Sequence, residues 1–258
     1  MDNDEAFLLS DKYDIWKIQP DGKYAVNMTE GKGRSGNLQL SYANYVRSDI
    51  PAALSRVGVT KTIGKKEEIF LTVFDRTTKE NGIATISADK PGLKSCFAGK
   101  YSLSSIAKAK DADLFAYRKG DYKNSPDVYT TTDRWASEKK WSAINPQQAE
   151  YNWADKRLVH WKAYDGTPLD GILLTPENLD PTKKYPMIIY FYEKTSEPLY
   201  NWAAPAPSRS TVNLTFFASR GYVVFVPDIV YVDGHPGESA YNCICSGAEA
   251  MCEQFPFI

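Results

Sequence analysis

Along the first 150 residues the apolar positions come in short runs that alternate with polar ones. "YDIWKIQPDGKYAVNM" sets Ile15 and Lys17 on one face against Trp16 and Ile18 on the other, then breaks at Pro20-Asp21-Gly22. "EEIFLTVFDRTTKENGIATISAD" reads as two alternating runs about a polar turn that includes Asn81-Gly82. "ADLFAYRKGDYKNSPDVYTTTD" repeats the design: strand, polar turn with a glycine, strand. Alternation at period two, punctuated by Asp, Asn, Gly and Pro, predicts antiparallel hairpins. No long helical period occurs here, and "PAALSRVG" has room for one short helix at most.

The pattern changes after "INPQQAEYNW". "RLVHWKAYDGTPLDGILLTPE" is still a strand pair about Asp165-Gly166, but "YPMIIYFY" and "GYVVFVPDIVY" are nearly continuous apolar runs. Strands covered on both faces read in this way, as in the middle of an α/β sheet. Between them, Leu214, Phe217 and Ala218 form an i, i+3, i+4 stripe, with Ser210 or Thr211 as cap and Gly221 as stop. Strand, helix, strand predicts a parallel pair. A second helix is expected over Ser239 to Phe255, its buried stripe being Ile244, Ala248, Met251, Cys252 and Phe255. The expectation is thus of an all-β part over residues 1–150 and the opening of a layered α/β part over 151–258.

Composition narrows the functional classes. The 258 residues carry a formal net charge of -1, which gives no broad attraction to nucleic acid or an anionic membrane. No apolar run reaches the ~20 residues of a membrane span. The acidic opening "MDNDEAFLLSD" lacks the basic and apolar regions of a secretory signal, and the compartment stays unknown. Cys243 and Cys245 point about 200° apart on a helix and cannot share a metal. Together with Cys96 and Cys252 they read as small apolar side chains filling a core rather than as a disulfide framework. His160 falls on the polar face of an alternating strand, and His235 in a turn-rich stretch beside Pro236-Gly237. No His, Cys or carboxylate set has metal-ligand spacing and no glycine-rich phosphate loop follows a strand, so no metal and no cofactor is expected.

Several phrases, in order, carry a resemblance. "LLSDKYDIWKIQPDG" resembles a β-propeller blade of prolyl oligopeptidase-type peptidases, and "DVYTTTDRWASEKKWSAINPQQAEYNW" resembles the exit from a last blade. "VHWKAYDGTPLDGILLTPENLDPTKKYPMIIYFYE" is similar to the start of that family's α/β-hydrolase domain, and "ASRGYVVFVPDIVYVDGHPGESA" to the strand and loop that follow. The resemblance implies a mixed fold: propeller-like blades forming an incomplete propeller, about three at ~40–45 residues each, then the N-terminal part of an α/β-hydrolase domain. It implies a serine peptidase, dipeptidyl-peptidase-like, that cleaves peptides by acyl transfer and needs no cofactor.

The same resemblance implies where the chemistry sits. The family's nucleophile elbow, Gly-x-Ser-x-Gly, follows a helix like the last one here, and its Asp and His come later still. All three are expected beyond Ile258, so this chain alone is expected to be inactive. Tyr192 matches the family tyrosine whose hydroxyl helps to bind the oxyanion. The sequence departs from the family just after it, with Glu193-Lys194-Thr195 where relatives often have Gly-Gly-Pro or Ala-Gly-Pro. Glu193 is a second candidate, a carboxylate able to meet a substrate amine. Tyr190 is expected on the same side as Tyr192 and to serve packing. Two other classes stay open, a non-catalytic propeller-type interaction module and an esterase on the same fold. The apolar strand Pro186–Tyr192, unpaired on one edge, is expected to promote self-association. The resemblance implies a periplasmic or exported protein or, otherwise, a cytoplasmic one, which leaves localisation undecided.

Overall fold

A computed structural model describes residues 5–45 and 62–258; the short helix allowed for by the sequence over residues 51–58 lies outside the described residues. The chain divides into two compact units. One comprises residues 1–119 and 127–142, the other residues 120–126 and 143–258.

The first unit is three successive antiparallel sheets. Strands β1 (Phe7–Ser10), β2 (Ile15–Ile18) and β3 (Ala25–Asn27) form the first, in chain order. Strands β4 (Leu38–Ala43), β5 (Glu68–Asp75), β6 (Asn81–Ser87) and β7 (Leu93–Gly99) form the second. Strands β8 (Ser102–Lys108), β9 (Phe115–Gly120), β10 (Asp127–Thr131) and β11 (Lys139–Lys140) form the third. The middle sheet is buried on both faces. Ile69, Leu71 and Val73 of β5 pack with Ile15 of the first sheet and with Met28 just after it. Their alternating neighbour Phe70 packs with Phe115 and Tyr117 of the third. Six consecutive residues of β6 are buried for the same reason.

Two details of this unit were misplaced by the sequence pattern. The β5–β6 turn is Arg76–Glu80, held by the Asp75 carboxylate, which accepts from the amides of Thr77 (2.8 Å) and Thr78 (2.9 Å). Asn81-Gly82 instead opens β6. A Cβ at Gly82 would stand 1.8 Å from the Phe97 carbonyl oxygen, so the glycine answers a close strand approach, not a turn. The other missed element is α1 (Lys32–Ser35), too short for a period to show. It is tied to the β1–β2 corner by Asp14, whose buried carboxylate accepts from Thr29 Oγ1 (2.6 Å), Gly33 N (3.0 Å) and Arg34 N (3.2 Å).

The second unit is a mixed sheet with strand order β12-β13-β15-β14: β12 (Ala154–Lys162), β13 (Pro168–Pro176), β14 (Met187–Ile189) and β15 (Val223–Pro227). The β12–β13 hairpin turns at Asp165-Gly166 as its sequence implies, with Gly166 at φ 87°. β13 and β15 are antiparallel, whereas β14 and β15 form the expected parallel pair. All five residues of β15 are buried. One face packs on α3 (Pro236–Gln254), the other on α2 (Leu214–Ala218) with Leu199 and Tyr200. Asn213, not Ser210 or Thr211, caps α2, accepting from Phe216 N at 2.9 Å.

Helix α3 begins at Pro236, three residues before the expected Ser239, because proline suits a first helical turn, where its missing N–H costs nothing. Its buried residues are Ser239, Cys243, Ser246, Gly247 and Met251. Of the expected stripe, Met251 is buried, Ile244, Ala248 and Phe255 are partly buried, and Cys252 is exposed. The helix lies close on the sheet: a Cβ at Gly247 would stand 2.9 Å from the Phe225 ring, and Trp161 Nε1 donates to the Cys243 carbonyl at 3.2 Å. Small residues therefore face inward where the larger Ile244 was expected to lead. Among the four cysteines only Cys243 fills the core.

These packings generate two expectations. Gly82→Ala should destabilise the protein by more than ~3 kcal/mol, because backbone must shift to admit the methyl group; a urea midpoint within error of the parent would contradict it. The Asp11 carboxyl is held at about 2 by the backbone amide of Asp14, with help from Tyr13 N, Trp16 Nε1 and Arg34. Its folded-state value lies below its ordinary one, so its contribution is full above about pH 4 and fades as pH falls toward 2. Asp11→Asn should cost ~1 kcal/mol at pH 7, and the gap from the parent should close on acidification.

Candidate functional site

The parallel strands β14 and β15 end side by side. In open α/β sheets the carboxyl ends of such strands are where ligands meet the backbone. β14 is shorter than its apolar run: Val223 N donates to Pro186 O and Tyr190 N to Phe225 O, each at 3.0 Å, and the chain then leaves the sheet. The expected strand Pro186–Tyr192 therefore ends at Ile189, three residues short of its expected end.

What replaces strand pairing is a set of cross-links to the segment after β15. Ile229 N donates to Glu193 O at 2.9 Å, and Thr195 Oγ1 to Pro227 O at 3.0 Å. The Asp228 carboxylate accepts from Ser196 N at 2.8 Å and from Ser196 Oγ at 2.6 Å. Tyr231 OH donates to Tyr192 O at 2.9 Å. Asp228 and Ser196 are buried, at 4% and 0% exposure, and so form the dry end of the arrangement. The Asp228 amide donates in turn to Asp170 O on β13 at 2.9 Å.

Tyr192 stands at the outer end of this loop with 78% of its surface exposed, and Glu193 and Lys194 beside it are exposed as well. Tyr190 does not share their side. It is partly buried against the core cluster that includes Ile172, Leu174, Val224 and Val226, because period-two alternation ends with the strand. Phe191, Val230, Tyr231 and Val232 are exposed around the same strand ends, giving the loop an apolar rim with a phenol and a carboxylate in it. A phenol held on a fixed backbone can donate to a developing negative charge, and an exposed carboxylate can receive an amine.

The histidines lie elsewhere. His160 Nδ1 is 2.8 Å from Asp170 Oδ1 on the β12–β13 ribbon, and His235 Nδ1 is 3.3 Å from Glu238 Oε2 at the start of α3. Among the described residues no group of three or more His, Cys, Asp or Glu side chains could hold a metal ion. No helix among them is long and apolar enough to cross a membrane.

Away from these strand ends, a concavity of about 180 Å³ is lined by Trp153, Trp202, Tyr151, Gln148 and Pro205. Trp153 and Trp202 stack at 5.9 Å, and Trp202 Nε1 donates to Gln148 Oε1 at 3.0 Å. The sequence pattern assigns these residues no role. Nor does it single out Ser196, Asp228 or Tyr231, although an aspartate directly after five apolar residues is a signal that the β15 run ends in a polar contact.

No family model matches the chain, and no curated protein matches it. Solved structures do. A dipeptidyl aminopeptidase IV-like protein from Bacteroides ovatus aligns over 98% of this chain and 37% of its own, with a TM-score of 0.66 at 14% identity. Pyrococcus horikoshii acylaminoacyl peptidase aligns over 98% and 37%, with a TM-score of 0.61 at 14% identity. Prolyl oligopeptidase B from Galerina marginata aligns over 99% and 35%, with a TM-score of 0.59 at 11% identity. The chain thus spans little more than a third of the length of these structures. At these identities the likeness is one of fold: the chain has the fold of part of the prolyl oligopeptidase-type structures, including their propeller-like region.

Proposed function

We propose that this chain is part of a serine peptidase of the prolyl oligopeptidase type, with residues 1–150 contributing the end of a β-propeller and residues 151–258 the beginning of an α/β-hydrolase domain. The observation that carries the reading is the agreement of order. Three meander sheets are followed by a mixed sheet with one parallel pair, and this succession aligns over 98% of the chain with peptidase structures. Mixed sheets with helices on both faces host many chemistries, so the fold alone leaves the reaction open. The sequence phrases that resemble the family add the serine-peptidase reading.

In this reading Tyr192 donates its phenolic hydroxyl to the oxyanion formed as a nucleophile adds to the peptide carbonyl. Glu193 meets the substrate's amino group. The nucleophile, its base and the orienting carboxylate are assigned to sequence following Ile258, so residues 1–258 would bind and polarise but not cleave. The substrate is a peptide, and the triad chemistry requires neither metal nor cofactor.

The test uses the full-length natural product. It should hydrolyse dipeptidyl or acylaminoacyl p-nitroanilides and be labelled by a fluorophosphonate on one serine. Absence of both would overturn the reading. Tyr192→Phe should lower kcat by about a hundredfold with little change in KM, as removal of one oxyanion donor does.

Residues 1–258 by themselves should behave differently in one further respect. β14 lies at the sheet edge; Tyr185 N on that side donates to Phe257 O at 2.8 Å, while Met187 and Ile189 turn their backbone groups away from β15. Such an edge is a template for pairing. The 258-residue chain should therefore self-associate, and a monodisperse monomer in light scattering would contradict this.

A further inference from the structure

We infer that Asp228 is a positioning residue: through Ser196, its carboxylate fixes the backbone that carries Tyr192. The inference rests on the reading of Tyr192 given above. It starts from an energetic asymmetry among the contacts that hold the loop. The Tyr231–Tyr192 bond is exposed, and hydrogen bonds made in water contribute little on balance. The two bonds from Ser196 to Asp228 are buried and charge-assisted, the class that is roughly twice as strong and whose loss leaves a carboxylate stranded away from water.

The geometry makes one residue the hinge pin. Asp228 directly follows β15, the best buried strand of its sheet, and its own amide is bonded to β13. It is therefore held from two strands. Ser196 presents both its amide and its hydroxyl to the two carboxylate oxygens, so the chain at that point is fixed in orientation as well as distance. Upstream, the Glu193 carbonyl and the Thr195 hydroxyl are bonded to Ile229 and Pro227, on either side of Asp228. Tyr192 thus sits one residue beyond a clamped segment, its ring free in solvent and its backbone not. An asparagine at 228 could accept from the Ser196 amide and donate to the Ser196 hydroxyl oxygen, but both bonds would lose their charge assistance, which is a physical reason for a carboxylate at this place.

The test is a set of variants in the full-length product: Ser196→Ala, Asp228→Asn and Asp228→Ala, each alone and combined with Tyr192→Phe. Ser196→Ala removes a single hydroxyl and keeps the inference testable where Asp228→Ala fails to fold. Hydrogen exchange should show the Ser196 and Ile229 amides losing protection in Ser196→Ala and Asp228→Asn. Both variants should lower kcat about tenfold with KM within about twofold, the signature of a displaced group and not of lost binding. On the Tyr192→Phe background the same changes should alter kcat by less than about twofold, because they act through that hydroxyl. Undiminished amide protection would overturn the inference, and so would effects that add fully to those of Tyr192→Phe. If Tyr192→Phe itself leaves kcat unchanged, it is the oxyanion role of Tyr192 that fails, and the positioning role falls with it.

Discussion

The second unit depends on burying β15 from both sides. Val223, Val224, Phe225 and Val226 are all at 0% or 1% exposure, and each such side chain contributes ~1.5–3 kcal/mol relative to leaving it in water. A strand with no wet face has no polar position to spare, so all polar business must wait for its end. It comes at once, at Asp228. The same strand fixes its neighbours: β13 on one edge, β14 on the other, α3 and α2 above and below. The Phe225 ring meets Trp161 edge-on at 5.2 Å and lies under Gly247, so helix and sheet approach only because small residues line α3. A bulkier residue there would move the helix, and with it the turn that leads from β15 into α3.

The first unit solves a related problem by repetition. A single antiparallel sheet can leave one face wet, but stacking three in sequence gives the middle one two dry faces. Alternation then serves both cores at once, odd residues of β5 toward one sheet and Phe70 toward the other. Polar side chains are used at corners, where backbone would otherwise be unsatisfied. Asp11, Asp14 and Asp75 each accept backbone amides a few residues away or across a corner. These carboxylates specify where strands stop, and the apolar alternation specifies which way they face.

The functional proposal joins these two levels. An exposed phenol is ordinarily a poor tool, since solvent lets it wander. Here the ring is exposed but its backbone is tied to a segment anchored in the best buried strand of the sheet. In the proposed reading, rigidity is carried outward from an apolar core by one buried carboxylate, so that the phenol is presented as a donor at the sheet's carboxyl end.

Much of this was legible in the residues. The hairpins at Pro20-Asp21-Gly22 and Asp165-Gly166, the parallel pair β14–β15 and the apolar stripe of α2 all follow from periodicity and turn chemistry, which are local. The polar character of His160 and the packing role of Tyr190 followed as well. What failed was non-local. Asn81-Gly82 looks like a turn because its chemistry allows one, but the Phe97 carbonyl pressing on Gly82 belongs to another strand. Cys252 fits a helical stripe, yet α3 is rotated to put its smallest residues on Phe225. The run Pro186–Tyr192 is apolar to its end, but Ser196, Thr195 and Glu193 find partners after β15 and draw the chain off the sheet. Sequence by itself determined the elements and their faces, because side-chain alternation and turn residues act within a few positions. Only the tertiary structure decided where elements end and which polar group holds which loop, because those bonds join residues 32 positions apart.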